Sequence, residues 1–172
     1  DGDCLFHCIS HALKSRDFLN INFDYEVSDL RKIVCDCIDY EKFNEIISIY
    51  KVIKDSDEFE EDWDPYTITF EEFKEILLEG GHNYWGDDII LNILKEYLNE
   101  NIIILKSDSF ENIYEYYPIL YDYNEKQDSI ILSYEDCNHF KLIGHYNGDN
   151  MITYFNNNTI PFEILKLINY FS

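Results

Sequence analysis

Cys4 follows directly on Asp1-Gly2-Asp3, and the apolar residues Leu5, Phe6, Ile9, Ala12 and Leu13 after it recur at helical spacing. This places Cys4 at a helix N-terminus. A cysteine attacks as its thiolate, and a helix N-terminus together with a nearby imidazolium can lower a thiol pKa from about 8.5 to roughly 3.5–7.5. Gly2 lets backbone N–H groups converge near the sulfur, the arrangement that binds an oxyanion, although Asp-Gly alone is also an ordinary turn. Cys8 lies one turn further on, where the helix dipole has faded, and reads as core together with Cys35 and Cys37.

A partner base must come from elsewhere in the chain. His139 stands at the mouth of a strand pair in the stretch Ser129 to Ile143. His145 is the competing candidate, because Asn147 two residues later is a good imidazole acceptor. If one strand ran through both histidines they would share a face but stand roughly 20 Å apart, so both cannot serve Cys4. His7, His11 and His82 read as packing or surface residues. Trp85, after Gly80-Gly81, reads equally as the wall of a narrow channel or as a core anchor. The Asp55 to Asp64 loop opens on Asp-Ser-Asp, yet lacks the glycine and bidentate-glutamate spacing of a calcium loop, so no metal is expected there.

The elements that must position these residues follow from periodicity and capping. Helices are expected from Ser28, as N-cap, through Cys37, and from Tyr40 to Ile53; Thr69 and Glu72 form a capping box for a helix ending at Gly80-Gly81. Another begins at Asp87-Asp88 and buries Ile90, Leu91, Leu94 and Leu98. Strands are expected at Ile102–Lys106, Ser129–Tyr134, Phe140–Tyr146 and Met151–Phe155, with a closing helix over Ile160–Phe171. The order predicts an α+β domain, its sheet packed between helical layers, with no repeat and no linker dividing residues 1–172. Because the chain opens on Asp1 rather than Met, further residues upstream are expected.

A chain of 172 residues can bury a core without staples, and 46% hydrophobic residues exclude an acidic disordered segment. The net charge of −22, from 35 acidic against 13 basic side chains, argues against nucleic acid and anionic membrane surfaces; it would steer in a basic protein partner, although an acidic surface is more often simply a solvated one. Five cysteines match neither a secreted disulfide framework nor a four-ligand zinc site, and no apolar run approaches the ~20 residues of a membrane helix. A soluble protein of a reducing compartment is expected.

Four stretches carry a resemblance to a known family. Asp1-Gly2-Asp3-Cys4-Leu5-Phe6 resembles the nucleophile motif of the OTU (ovarian tumour) cysteine peptidases, and Leu30-Arg31 resembles their Leu-Arg pair. Tyr84-Trp85-Gly86-Asp87 with Ile89 to Leu105 is similar to their Trp-Gly helix and following strand, and Ile130 to Tyr134 with Asn138-His139-Phe140 resembles their histidine motif. The resemblance implies a papain-like fold with a central, mostly antiparallel sheet, and hydrolysis of the isopeptide bond after the Gly-Gly end of ubiquitin or a ubiquitin-like modifier. It implies Cys4 as nucleophile, His139 as base, an oxyanion hole from the backbone of Gly2, Asp3 and Cys4, and substrate contacts at Trp85, Asn138 and Phe140. No cofactor is implied, and the expected partner is ubiquitin or its chains, met by a cytoplasmic monomer.

One position departs from the family pattern. Two residues after the histidine, where many relatives carry Asp or Asn to orient the imidazole, stands Lys141, which cannot accept a hydrogen bond. Asp1 is the first alternative orienting residue, with Asn138 and Asp136 behind it. The departure leaves open a ubiquitin-binding module without activity, and the Cys–His pair alone would equally suit a papain-like hydrolase acting on other amides or thioesters. The Asn, Ile, Tyr and Asp bias suggests an AT-rich genome such as that of a protist or large virus, and in the viral case the host cytoplasm.

Overall fold

The structure, a computed structural model, describes residues 2–16, 25–81, 86–106, 116–120, 122–135 and 139–171. Among these the helices are α1 (Cys4–Arg16), α2 (Val27–Cys37), α3 (Tyr40–Asp55), α4 (Phe70–Glu79), α5 (Asp88–Leu98) and α6 (Phe162–Phe171). The strands are β1 (Asn101–Lys106), β2 (Tyr117–Leu120), β3 (Ser129–Glu135), β4 (His139–Leu142), β5 (His145–Tyr146) and β6 (Met151–Ile152). None of the described helices is long and apolar enough to cross a membrane.

The helix ends obey local hydrogen-bonding rules. At α4 both halves of the capping box form: Glu72 N–H donates to Thr69 Oγ1 at 3.2 Å, and Thr69 N–H to Glu72 Oε2 at 2.9 Å. Asp39 caps α3 through Lys42 N–H at 2.7 Å, and Asn99 closes α5 in the left-handed region at φ 53°, which Asn tolerates. Ser28 is not the cap of α2. The helix begins at Val27 with Glu26 as N-cap, because the Asp29 carboxylate reaches back to Glu26 N–H at 3.0 Å and fixes the first turn two residues earlier.

The main sheet runs β2-β1-β3-β4. Its outer pairings are antiparallel and its central β1–β3 pairing is parallel, with Ile102 opposite Ile130 and Ile104 opposite Leu132. A parallel pair covered on both faces needs unbroken apolar runs, and these two strands supply them. Ile102, Ile104, Ile130 and Leu132 enter the core built with α1 to α5. Ile103, Leu105 and Ile131 enter a second core closed by Phe155, Ile160 and the α6 residues Ile164 and Ile168. The sheet thus lies between helical layers, as the element order predicts.

Two parts of the sheet differ from expectation. β2 is not among the strands expected from the sequence; its Pro118 is tolerated because β2 is an edge, where a missing N–H need not cost a ladder bond. The expected strand Phe140–Tyr146 is two strands. After Leu142 the chain leaves the sheet at Ile143-Gly144, where a Cβ on Gly144 would stand 2.6 Å from Met151 Sδ, and β5 pairs with β6 in a separate ribbon. β6 ends at Ile152, and Phe155 instead bridges back to Ser129.

Asp87 caps α5 while its carboxylate receives the Tyr50 hydroxyl of α3. Burial pushes this carboxyl up to about 6, against the hydrogen bonds from Tyr50 and Ile90 that favour its charge. A carboxyl raised above its unfolded value stabilises the fold below about 4, and that contribution is lost as pH climbs through 6. Asp87→Asn keeps an equivalent cap. Its stability relative to wild type should therefore rise by roughly 1–2 kcal/mol between pH 4 and pH 7 in paired urea titrations. A pH-independent difference would show that Asp87 does not titrate in this range.

Candidate active site

β4 is an edge strand, and its outward backbone groups need partners. In an antiparallel ladder, pairs that exchange hydrogen bonds alternate with pairs that do not. Ile143 N–H donates to Ile131 O at 2.9 Å, so by alternation Glu135↔His139 is an exchanging pair and Tyr134↔Phe140 is not. Phe140 therefore turns both its N–H and its C=O away from the sheet, toward α1. The N–H donates to Cys4 Sγ at 3.5 Å, and the carbonyl accepts from the Cys8 thiol at 3.6 Å. Two sulfurs one helical turn apart take the place of a neighbouring strand.

This arrangement sets the nucleophile beside the histidine strand. The His139 Cα is one peptide unit from the Phe140 nitrogen and so lies within about 6.5 Å of the Cys4 sulfur. Cys4 is half-buried and His139 is exposed at the first position of β4. His145 sits in the separate β5–β6 ribbon, also exposed, so the premise of one strand joining the two histidines falls. His7 and His11 are on the outer face of α1. Asp1, His82, Trp85, Asp136, Cys137 and Asn138 lie outside the described residues.

Three further cysteines, Cys8, Cys35 and Cys37, lie among the described residues. Burial, reinforced by the neighbouring Cys4, pushes the Cys8 thiol up to about 12, so it stays protonated and serves as a donor. Cys35 is in the core as expected, and burial raises its pKa. Cys37 is not in the core. It is exposed, because two residues of helix rotate it by roughly 200° from the buried face that Cys35 occupies.

The loop before α1 is held at its side chain and at its backbone. Asp3 Oδ1 accepts from Arg31 Nε at 2.8 Å and from Arg31 NH2 at 2.5 Å, and Asp3 Oδ2 accepts from Gly81 N–H at 3.1 Å. Arg31 is 2% exposed; its guanidinium lies 4.3 Å over the Phe6 ring and donates to the Leu77 carbonyl at the end of α4. Gly80, at φ +78°, leaves room for this group, since a Cβ there would come within 2.9 Å of Arg31 Nε. Gly86 donates to the Gly2 carbonyl at 3.4 Å and packs so close to Leu5 that a Cβ would stand 2.9 Å from the Leu5 Cβ. The Asp3–Arg31 pair escaped sequence reasoning. Its signal was there: an arginine on the apolar face of α2, between Leu30 and Val34.

Lys141 is placed on the same face as His139, and its ammonium pairs with Glu135 Oε2 at 2.6 Å. On the opposite face the Tyr134 and Phe140 rings meet at 4.9 Å. A cavity of about 550 Å³ reaches from Gly86 and Phe140 past Tyr134 to Tyr50 and the acidic Glu60 and Glu61.

Arg31→Met would leave the Asp3 carboxylate, 20% exposed, without its counter-charge. We expect a loss of about 3 kcal/mol in chemical denaturation, and much of it should return in the Asp3→Asn/Arg31→Met double variant. Strictly additive losses would mean that the two side chains are not energetically coupled.

The arrangement is that of a thiol at a helix start, held against a histidine-bearing strand by hydrogen bonds between distant parts of the chain. No curated protein matches the chain. Residues 1–146, from the Asp3 loop and α1 through β5, match the family model of the OTU-like cysteine proteases, and the chain belongs to that family.

Proposed function

We propose that the protein is a deubiquitinating peptidase that cleaves the isopeptide bond following the C-terminal Gly-Gly of ubiquitin or a ubiquitin-like modifier. The observation that carries this reading is the Phe140 amide on Cys4 Sγ, which brings the His139 strand to the thiol within a chain of the OTU-like family. In the reaction, the Cys4 thiolate adds to the glycine carbonyl carbon and the oxygen takes up negative charge. Backbone N–H groups of Gly2, Asp3 and Cys4 receive that charge at the start of α1. Collapse breaks the C–N bond, and the His139 imidazolium gives its proton to the departing lysine amine. The neutral imidazole then takes a proton from water, whose oxygen attacks the thioester and releases a carboxylate and the free thiol.

The cavity beside Gly86 and Phe140, whose lining does not include Cys4 or His139, offers aromatic walls and a carboxylate rim to basic side chains of the partner. The net charge of −22 supports a cationic partner face.

Cys4→Ala should abolish hydrolysis of a ubiquitin-amide reporter and labelling by an electrophilic ubiquitin probe, while binding measured by calorimetry stays within a few-fold. His139→Ala should be as inactive, and His145→Ala close to wild type. An active His139→Ala beside an inactive His145→Ala would reassign the base. Binding without labelling in the wild type would indicate a ubiquitin-binding module, and neither would indicate a hydrolase for other substrates. Stopped-flow association should slow as ionic strength is raised past about 0.15 M, where charges are screened beyond about 8 Å. A salt-independent rate would remove steering from the mechanism.

A further inference from the structure

Lys141 occupies the place, two residues after His139 and on its face of β4, from which an acceptor would orient the imidazole. Its ammonium instead turns back across the ladder to Glu135. We propose that Glu135 is the positioning residue of His139, holding the imidazole by accepting its N–H from the neighbouring strand; this rests on His139 being the catalytic base.

Three observations carry it. First, Glu135 and His139 are direct cross-strand partners, so their side chains leave the sheet on the same face with Cβ atoms about 4.5–5.5 Å apart. The two side chains form no hydrogen bond or ion pair in the structure, and a turn of the long Glu135 side chain is what would bring its carboxylate to the imidazole. Second, the Glu135 side chain is only 15% exposed, and a carboxylate withdrawn that far from water needs charged or hydrogen-bonding partners. Third, Lys141 engages Oε2 and is itself 58% exposed, so it fixes the carboxylate from the solvent side. A carboxylate has about four acceptor sites, and one ammonium leaves Oε1 able to take the imidazole N–H. The lysine that cannot accept from His139 thereby secures the group that can. The charged and titratable groups around this face are Glu135, Lys141 and His139 on the hairpin, Tyr116 before β2, which feels both charges, and Cys4 on α1.

The test measures kcat/KM against pH on a ubiquitin-amide reporter, with folding checked by circular dichroism. The variants are Glu135→Ala, Glu135→Gln, Glu135→Ala/Lys141→Asp, Asp1→Ala and His139→Ala. We expect Glu135→Ala to lower kcat by at least ~10-fold, toward the ~10⁴-fold known for loss of an orienting carboxylate, with KM little changed. A carboxylate favours the imidazolium, so its removal should move the basic limb of the pH profile to lower pH. Glu135→Gln, which keeps an acceptor without charge, should recover part of the rate. Glu135→Ala/Lys141→Asp should recover more, by returning a carboxylate to the other position on the same face. An unchanged kcat in Glu135→Ala, or a loss with an unmoved pH limb and no rescue by Lys141→Asp, overturns the proposal. So does a silent Glu135→Ala beside a crippled Asp1→Ala, which assigns the role to Asp1. An active His139→Ala instead overturns the base assignment, and this inference falls with it.

Discussion

An edge strand cannot leave its outward N–H and C=O groups bare beside an apolar core, and the way β4 meets this requirement governs the rest of the site. Phe140 hands its N–H to one sulfur and takes a thiol hydrogen from the next. Because Cys4 and Cys8 are one turn apart on α1, the helix must run along the strand with its first turn at the histidine end. Register in the β3–β4 ladder then decides which backbone groups point outward. A slip by one residue would turn Phe140 toward β3 and break both contacts at once.

Positive charge is scarce in this chain, and some of it is used where elements join. Arg31 ties α2 to the nucleophile loop, Arg16 ties the end of α1 to Glu100 before β1, and Lys141 braces the β3–β4 hairpin. Lys54 and Asp64 close the turns after α3. Exposed pairs of this kind contribute little individually, whereas the enclosed Arg31–Asp3 pair fixes geometry in a place where a bare carboxylate would be costly. These joints take four of the thirteen cations, and the acidity of the chain follows from its 35 carboxylates.

Much of this was legible in the sequence, and the exceptions have physical causes. The helices from α3 to α5 announced themselves through apolar spacing, α4 also through its Thr69–Glu72 capping box, while β1 and β3 stood out as unbroken Ile and Leu runs; Asp39 and Asp87 emerge as caps only in the structure. The placement of Cys4 at a helix start and of His139 at the mouth of a strand pair was readable from local context. The α2 boundary was misread because Ser28 is the better intrinsic cap, yet Asp29 reaching back to Glu26 is what starts the helix. The break at Ile143-Gly144 depends on Met151, which is distant in sequence and fills the space over the glycine. The Asp3–Arg31 clamp and the outward turn of Phe140 follow from how remote elements meet, which local pattern cannot specify.

The part of the chain that matches the family stops at Tyr146, before α6 begins. Yet α6 is what keeps Ile103, Leu105 and Ile131 from water, by laying Ile164 and Ile168 over them. The boundary of shared ancestry is therefore not the boundary of physical closure. A polypeptide trimmed to the matched span would carry the nucleophile, the histidine strand and the Arg31 clamp, but one side of its sheet would be an open apolar plane, the kind of surface that recruits other chains. Such a protein would be lost to aggregation before its chemistry could be measured, and residues remote from the reacting atoms would be the reason.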